Sequence, residues 1–155
     1  MNQSENSEMK NYIFGSIFLI AQRWQYIGDH YLEEAGITTK QWLLMAVMAK
    51  LFEKPPTISE AAEALGSSRQ NVKQIALKLQ KKGFLKISRD ASDSRILRLE
   101  ATIKNKVFWE QRAEKDEKTV GKFFENLNRE EVGTLFSLML KLNDRTQELM
   151  NSIHK

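Results

Sequence analysis

The sequence predicts a mainly α-helical protein with one small β-hairpin, an α+β arrangement in which a winged helix-turn-helix is flanked by helices from both ends of the chain. Three observations carry that expectation. Apolar residues recur at three- and four-residue intervals through most of the chain. Two short stripes with that spacing, Ile58/Ala61/Ala62/Leu65 and Val72/Ile75/Ala76/Leu79, follow one another across a Gly66-Ser67 turn. Then the period changes, and two short strand-like segments flank a polar tip, RDASDSR, at residues 89–95.

The first helix is read from Met9 to Glu34, where Tyr12, Ile13, Ile17, Ile20, Trp24, Ile27 and Tyr31 line one face. Phe14, Phe18 and Leu19 widen that face beyond what a surface helix needs. Gly36 stops the helix, and Thr38 with Gln41 forms a capping box for the next, QWLLMAVMAKLF, which is apolar almost all round and is expected to be buried on most sides. Pro55 and Pro56 end it, because proline supplies no amide hydrogen and biases the preceding residue to extended geometry. Thr57 and Glu60 form a second capping box for a helix of barely two turns, closed by Gly66. Ser67 or Ser68 caps the fourth helix, which Gly83 terminates after Lys81 and Lys82. Phe84, Leu85 and Ile87 on one side, and Ile96, Leu97 and Leu99 on the other, make the hairpin. Thr102 caps a fifth helix whose stretch QRAEKDEKT holds one apolar residue, Ala113, as expected of a solvated strut between two lobes. Val120, Phe123, Phe124 and Leu127 restore the stripe. Asn128 and Glu131 then cap a last helix with Val132, Leu135, Phe136, Met139, Leu142, Leu149 and Ile153 at packing-seam spacing.

The composition narrows the function. The 155 residues suit one compact domain, or a small domain whose helical extensions need a partner to cover them. With no cysteine, disulfides, thiolate metal sites and thiol redox sensing are excluded for the single chain. The apolar run from Ile13 to Ala21 is too short to span a bilayer and no secretion signal is visible, so a cytoplasmic protein without a membrane partner is expected. His30 and His154 are the only histidines, which argues against a histidine-based metal site and leaves a Ser-His-Asp arrangement little to draw on. A glycine-rich phosphate loop and an HExxH motif are also missing, and no cofactor or enzymatic activity is expected.

The net charge of +4 is unevenly placed. Between Ala64 and Arg98 nine basic residues face two acidic ones, a net of +7, so the remainder of the chain carries −3. A polyanion partner for that segment is the inference, against the plainer reading of a solvated basic face. On the fourth helix, about 100° per residue puts Gln70 and Gln74 opposite the apolar stripe, flanked by Asn71 and Lys73. Glutamine pairs bidentately with adenine, while Arg69, Lys73 and Lys78 reach phosphates or guanine in a major groove. Ser67 and Ser68 belong to the same helix start, and Ser67 to Gln70 also reads as a capping box that competes for Gln70. Leu77 lies outward too, where it meets a thymine methyl or packs on its own domain. In the hairpin tip, Arg95 is assigned to a narrow minor groove, with Arg89 at the other edge. Asp93 cannot be attracted to DNA, so it is read as orienting Arg95; Asp90 is read either that way or as a simple turn former.

The segment TISEAAEALGSSRQNVKQIALKLQKKGFLKISRDASDSRILRLEAT resembles the winged helix of the MarR family of bacterial transcription regulators, whose wing D-x-R is Asp93-Ser94-Arg95 here. A long first helix, a second helix opened by TTKQWLLM and a NREEV start to the last helix fit the family layout. The family's Leu-Thr-x-x-Gly after the wing stands as Ala101-Thr102-Ile103-Lys104-Asn105, a departure at its first and last positions. The resemblance implies a homodimer in which residues 1–36 and 103–155 form a helical dimerisation region, while residues 37–102 form the winged helix-turn-helix that binds half of an imperfect palindrome in double-stranded DNA. The apolar excess on the first and last helices independently suggests a partner chain. The resemblance also implies a small aromatic or amphipathic effector between the lobes, with Trp24 and Trp42 as its contacts here, although tryptophans at helical spacing are also ordinary core residues. The alternative function is a winged-helix module that binds an acidic protein instead of DNA.

Overall fold

A computed structural model describes residues 3–153 of the chain. Six α-helices and one hairpin follow in the order α1 (Gln3–Leu32), α2 (Thr39–Leu51), α3 (Ile58–Ala64), α4 (Arg69–Lys81), β1 (Leu85–Arg89), β2 (Leu97–Ala101), α5 (Ile103–Phe123) and α6 (Arg129–Ile153), with a single 3-10 turn, Glu33–Ala35, after α1. The mainly α architecture with a two-stranded wing is the predicted one. The chain divides into two compact units, Met1–Gln111 and Arg112–Lys155. Among the described residues no helix is long and apolar enough to cross a membrane.

In the first unit the helix starts are set by side chains the sequence marks. Thr38 Oγ1 accepts the Gln41 N–H at 3.3 Å while Gln41 Oε1 accepts the Thr38 N–H at 3.2 Å, and Thr57 and Glu60 repeat the exchange at 3.1 and 2.6 Å. Each box satisfies two amide hydrogens that a helix start leaves without partners. Accepting the Thr57 backbone and hydroxyl hydrogen bonds holds the Glu60 carboxyl below its usual range. Gly66 and Gly83, at φ of 58° and 79°, supply the left-handed residues that end α3 and α4. α1 starts earlier than expected, its polar N-terminal residues continuing the helix ahead of the apolar stripe.

The core of this unit lies where α2, α3, α4, the hairpin and the start of α5 meet. Leu44, Met45, Val72, Leu79 and Leu99 are its largest fully buried side chains, and Phe84, Phe108 and Trp109 pack edge to face against it, Trp109 reaching Trp42 at 5.8 Å between ring centroids. α2 buries Gln41, Leu44, Met45 and Met48 but leaves Leu43 44% and Leu51 63% exposed, so it is buried along one face and not on most sides. α1 meets α2 through a close approach at Gly28, whose neighbours Gln25 and Asp29 bind Thr39: the Thr39 hydroxyl donates to Gln25 O at 3.1 Å and the Thr39 N–H to Asp29 Oδ1 at 2.6 Å. Tyr12, Phe14, Phe18 and Tyr26 stand more than 60% exposed along the rest of α1.

The hairpin pairs antiparallel from Leu85↔Ala101 to Arg89↔Leu97. A feature the local pattern does not reveal lies on its outer edge. The residues after α2 form a third, minimal strand: Thr57 bridges Arg98, and the Leu99 N–H donates to Pro56 O at 2.8 Å. Proline is tolerated there because the segment is a short edge piece with few ladder hydrogen bonds to make.

In the second unit Asn128 Oδ1 accepts the Glu131 N–H at 3.0 Å, Glu131 Oε2 accepts the Asn128 N–H at 2.8 Å, and α6 follows. None of the residues of α6 is buried; Phe136, Leu138, Met139 and Leu140 are each about half exposed or more.

Candidate nucleic-acid interface

The fourth helix is built with two opposed faces. Val72, Ala76 and Leu79 are fully buried, and this apolar stripe fixes the rotation of α4 about its axis. Arg69, Gln70, Asn71, Lys73, Gln74 and Lys78 are consequently all exposed. Ser68 is the N-cap, its Oγ accepting the Asn71 N–H at 3.1 Å, while the half-buried Ser67 accepts a hydrogen from Asn71 Nδ2 at 2.9 Å. The cap therefore runs from Ser68 to Asn71 and not from Ser67 to Gln70, which leaves Gln70 outside the capping arrangement. Leu77 stays 41% exposed on the same helix.

The other end of α4 is pinned. Lys82 Nζ donates to Gly36 O and, at 3.0 Å, to Gln41 Oε1, a side chain only 3% exposed at the start of α2. Gln41 thus serves a capping box and the C-terminus of α4 together. Lys104 Nζ covers the next carbonyl, Lys82 O, at 2.7 Å and lies 4.6 Å from the centroid of the Phe84 ring.

At the wing tip the two aspartates do different things. Asp93 accepts from both Arg95 Nε, at 3.0 Å to Oδ1, and Arg95 Nη2, at 2.9 Å to Oδ2, with the Arg95 N–H adding a third bond at 3.0 Å. This fork lowers the Asp93 carboxyl and raises the Arg95 guanidinium from their ordinary values, because each stabilises the other's charged form. The Arg95 side chain nevertheless remains 89% exposed, held in one direction with its outer surface open.

Asp90 faces inward. Its Oδ1 accepts the Ser92 N–H at 2.8 Å, the Ser92 hydroxyl and the Asp93 N–H at 3.2 Å, and its Oδ2 accepts from Arg98 Nε. The Ser92 hydroxyl first, then the Arg98 guanidinium, hold its carboxyl far below the usual carboxylate range. Asp90 is both a turn former and the partner of a cation, so the two sequence readings are combined. Arg89 donates from Nη1 to Ser94 O at 2.7 Å and closes the tip from its other edge.

Arg98 is the residue that sequence reasoning missed. It counts toward the basic window, but it donates from Nη1 to Pro55 O at 2.8 Å and from Nε to Asp90, tying the tip of the wing to its base. Its role depends on the Pro55–Thr57 strand, a partner 43 residues away at Pro55 that no local period announces. Of the two tryptophans proposed for an effector, Trp42 is half-buried against Trp109, and Trp24 is 41% exposed on α1.

Residues 35–96 match the sequence model of the MarR family. Solved structures resemble most of the chain. A MarR protein from Peptoclostridium difficile superposes with a TM-score of 0.80 at 18% identity, covering 91% of each chain. The transcriptional regulator SlyA does so with a TM-score of 0.78 at 21% identity, over 91% of this chain and 98% of its own. MepR of Staphylococcus aureus, solved as a complex with DNA, gives 0.72 at 19% identity, over 87% of this chain and 96% of its own. At such identities these likenesses show a shared fold. Residues 35–96, which hold the helix-turn-helix and the wing tip, are thus similar to the MarR family, and the fold is the one seen in the MarR and SlyA structures.

Proposed function

We propose that the protein is a homodimeric, sequence-specific double-stranded DNA-binding transcription regulator acting in the cytoplasm, without catalytic activity. The observation that carries this reading is the pairing of a buried stripe on α4 with an exposed face of amides and cations, next to a wing arginine held in a carboxylate fork. In the proposed complex α4 enters the major groove. Gln70 and Gln74 pair with base edges, Arg69, Lys73 and Lys78 reach phosphates or guanine, and Ser67, Ser68, Asn71 and Arg89 contact the backbone beside them. Arg95, aimed by Asp93, enters the adjacent minor groove. The MepR complex, of the same fold, supports the DNA partner.

The dimer rests on residues 1–36 and 103–155. α1 leaves Tyr12 77%, Phe14 67% and Phe18 61% exposed, and α6 leaves Phe136 64% exposed, more apolar surface than a lone chain comfortably shows to water. Two such subunits related by a twofold axis present two copies of α4 to an imperfect palindrome. A small aromatic or amphipathic effector contacting Trp24 and Trp42 completes the reading; the exposed Trp24 ring supports it.

The test is fluorescence anisotropy with duplexes from the protein's own upstream region. Four backbone-reaching cations per subunit, Arg69, Lys73, Lys78 and Arg89, give a dimer a slope of about −7 in log K against log salt. Gln74→Ala should cost about 1–3 kcal/mol on the specific site and much less on random duplex. Binding that ignores both salt and Gln74 would leave the acidic-protein module as the better reading.

A further inference from the structure

α4 carries one outward residue that the proposed complex leaves without a task. The core of the first unit takes Val72, Ala76 and Leu79 from this helix, with Ile75 partly buried against it, and Leu77 belongs to neither group. Leu77 is 41% exposed. Among the described residues of α4 it is the one exposed side chain that is apolar; the others are amides and cations. Helix formation does not call for a leucine there, because lysine, glutamine and arginine form helices about as readily. Of the two roles its position allows, packing on its own domain is the one the structure removes, and contact with a partner remains.

Its place on the helix restricts what it meets. At about 100° per residue, Gln70, Gln74 and Leu77 fall within about 60° of one another, on the side of α4 opposite Val72 and Leu79. Leu77 stands about 4.5 Å further along the axis than Gln74, a little more than one base-pair step of about 3.4 Å. A side chain on that line faces the groove that the two glutamines face. Base edges in the major groove present donors, acceptors and one kind of apolar group, the 5-methyl of thymine. Leucine offers no hydrogen bond, so against any other edge it would strip water from a polar group and return nothing. The methyl is its complement.

We propose that Leu77 is a specificity-determining residue that reads a thymine methyl about one or two base pairs beyond the edge met by Gln74. The inference rests on the DNA-binding reading and deepens it, since it adds a thymine at a fixed distance to each half-site.

Deoxyuridine is the probe, because it removes the methyl of thymine and leaves every hydrogen-bonding group in the groove. Each thymine of a specific duplex from the protein's own upstream region is exchanged singly, and binding to the full-length protein is followed by anisotropy. In the wild type, exchange at one position of a half-site should weaken binding about fourfold, the worth of one buried methyl-sized group. Leu77→Ala, which puts a strong helix former on an exposed site, should bind the thymine duplex several-fold more weakly and lose the uracil penalty at that position alone. Leu77→Met, long and apolar, should keep the penalty. Random duplex should be bound equally well by all three proteins. A wild type indifferent to uracil at every thymine, or a penalty of the same size in Leu77→Ala, overturns the assignment and leaves the DNA reading standing. A wild type that binds no duplex overturns both.

Discussion

Gly28 lies inside α1, where glycine normally costs a helix about 0.5–1 kcal/mol relative to alanine. A Cβ there would stand 2.6 Å from Thr39 Oγ1 and 3.4 Å from Thr39 Cγ2, well inside contact distance for the first. The threonine cannot simply turn away, since its hydroxyl is donated to Gln25 O at 3.1 Å and its N–H is held by Asp29. Gly28→Ala should thus destabilise the protein by about 1–3 kcal/mol, the usual cost of overpacking a tight contact, in spite of the better helix former. In a Thr39→Ala background the nearest atom left is Cβ at 3.6 Å, an ordinary contact, and the same substitution should stabilise by about 0.5–1 kcal/mol. The sign reverses, and the coupling in the double-mutant cycle is about 1.5–4 kcal/mol. Urea unfolding of the four proteins at one fixed protein concentration measures it. A Gly28→Ala effect that is the same in both backgrounds would show that α1 and α2 do not approach as described.

Two further predictions concern the wing. Asp93→Asn removes a negative charge from the loop that the proposed complex sets against DNA, so simple electrostatics predicts tighter binding; the fork predicts weaker specific binding, because Arg95 loses the partner that aims it. Anisotropy at two salt concentrations separates these outcomes, and tighter specific binding refutes the orienting role. Asp90 has a depressed carboxyl, so its contribution to wing stability is complete above the ordinary carboxylate pKa of about 4 and is lost as pH falls below it toward the folded value. Amide hydrogen exchange of the hairpin should accelerate relative to its intrinsic rate below about pH 4 in the wild type, and Asp90→Asn should show the loosened hairpin already at neutral pH. A hairpin equally protected in both proteins at neutral pH would remove Asp90 from the account.

Much of this architecture is legible in single residues with local partners. The Thr38/Gln41, Thr57/Glu60 and Asn128/Glu131 exchanges span three positions each, and Gly66 and Gly83 mark helix ends by a conformation few other residues adopt. The two faces of α4 follow from its period, because burial of Val72, Ala76 and Leu79 leaves the opposite side chains outside. What could not be read depends on distance along the chain. The Pro55–Thr57 strand, the anchoring of Arg98 on Pro55, the grip of Lys82 on Gly36 and the Trp42–Trp109 contact all join residues separated by tens of positions, where only the fold decides who meets whom. The choice between Ser67 and Ser68 was ambiguous for another reason: both are good caps, and a one-residue offset decides whether Gln70 or Asn71 is engaged.

The ammonium of Lys82 has an implication for fidelity. If α4 reads bases as proposed, a cylinder with its contact groups on one side is useful only if it cannot roll, and a slip of one residue would turn that side by about 100°. Anchored behind by a lysine and in front by a serine, α4 resembles a key whose bow is clamped. Loosening the clamp should not stop the key from entering; it should let the key open locks cut for others.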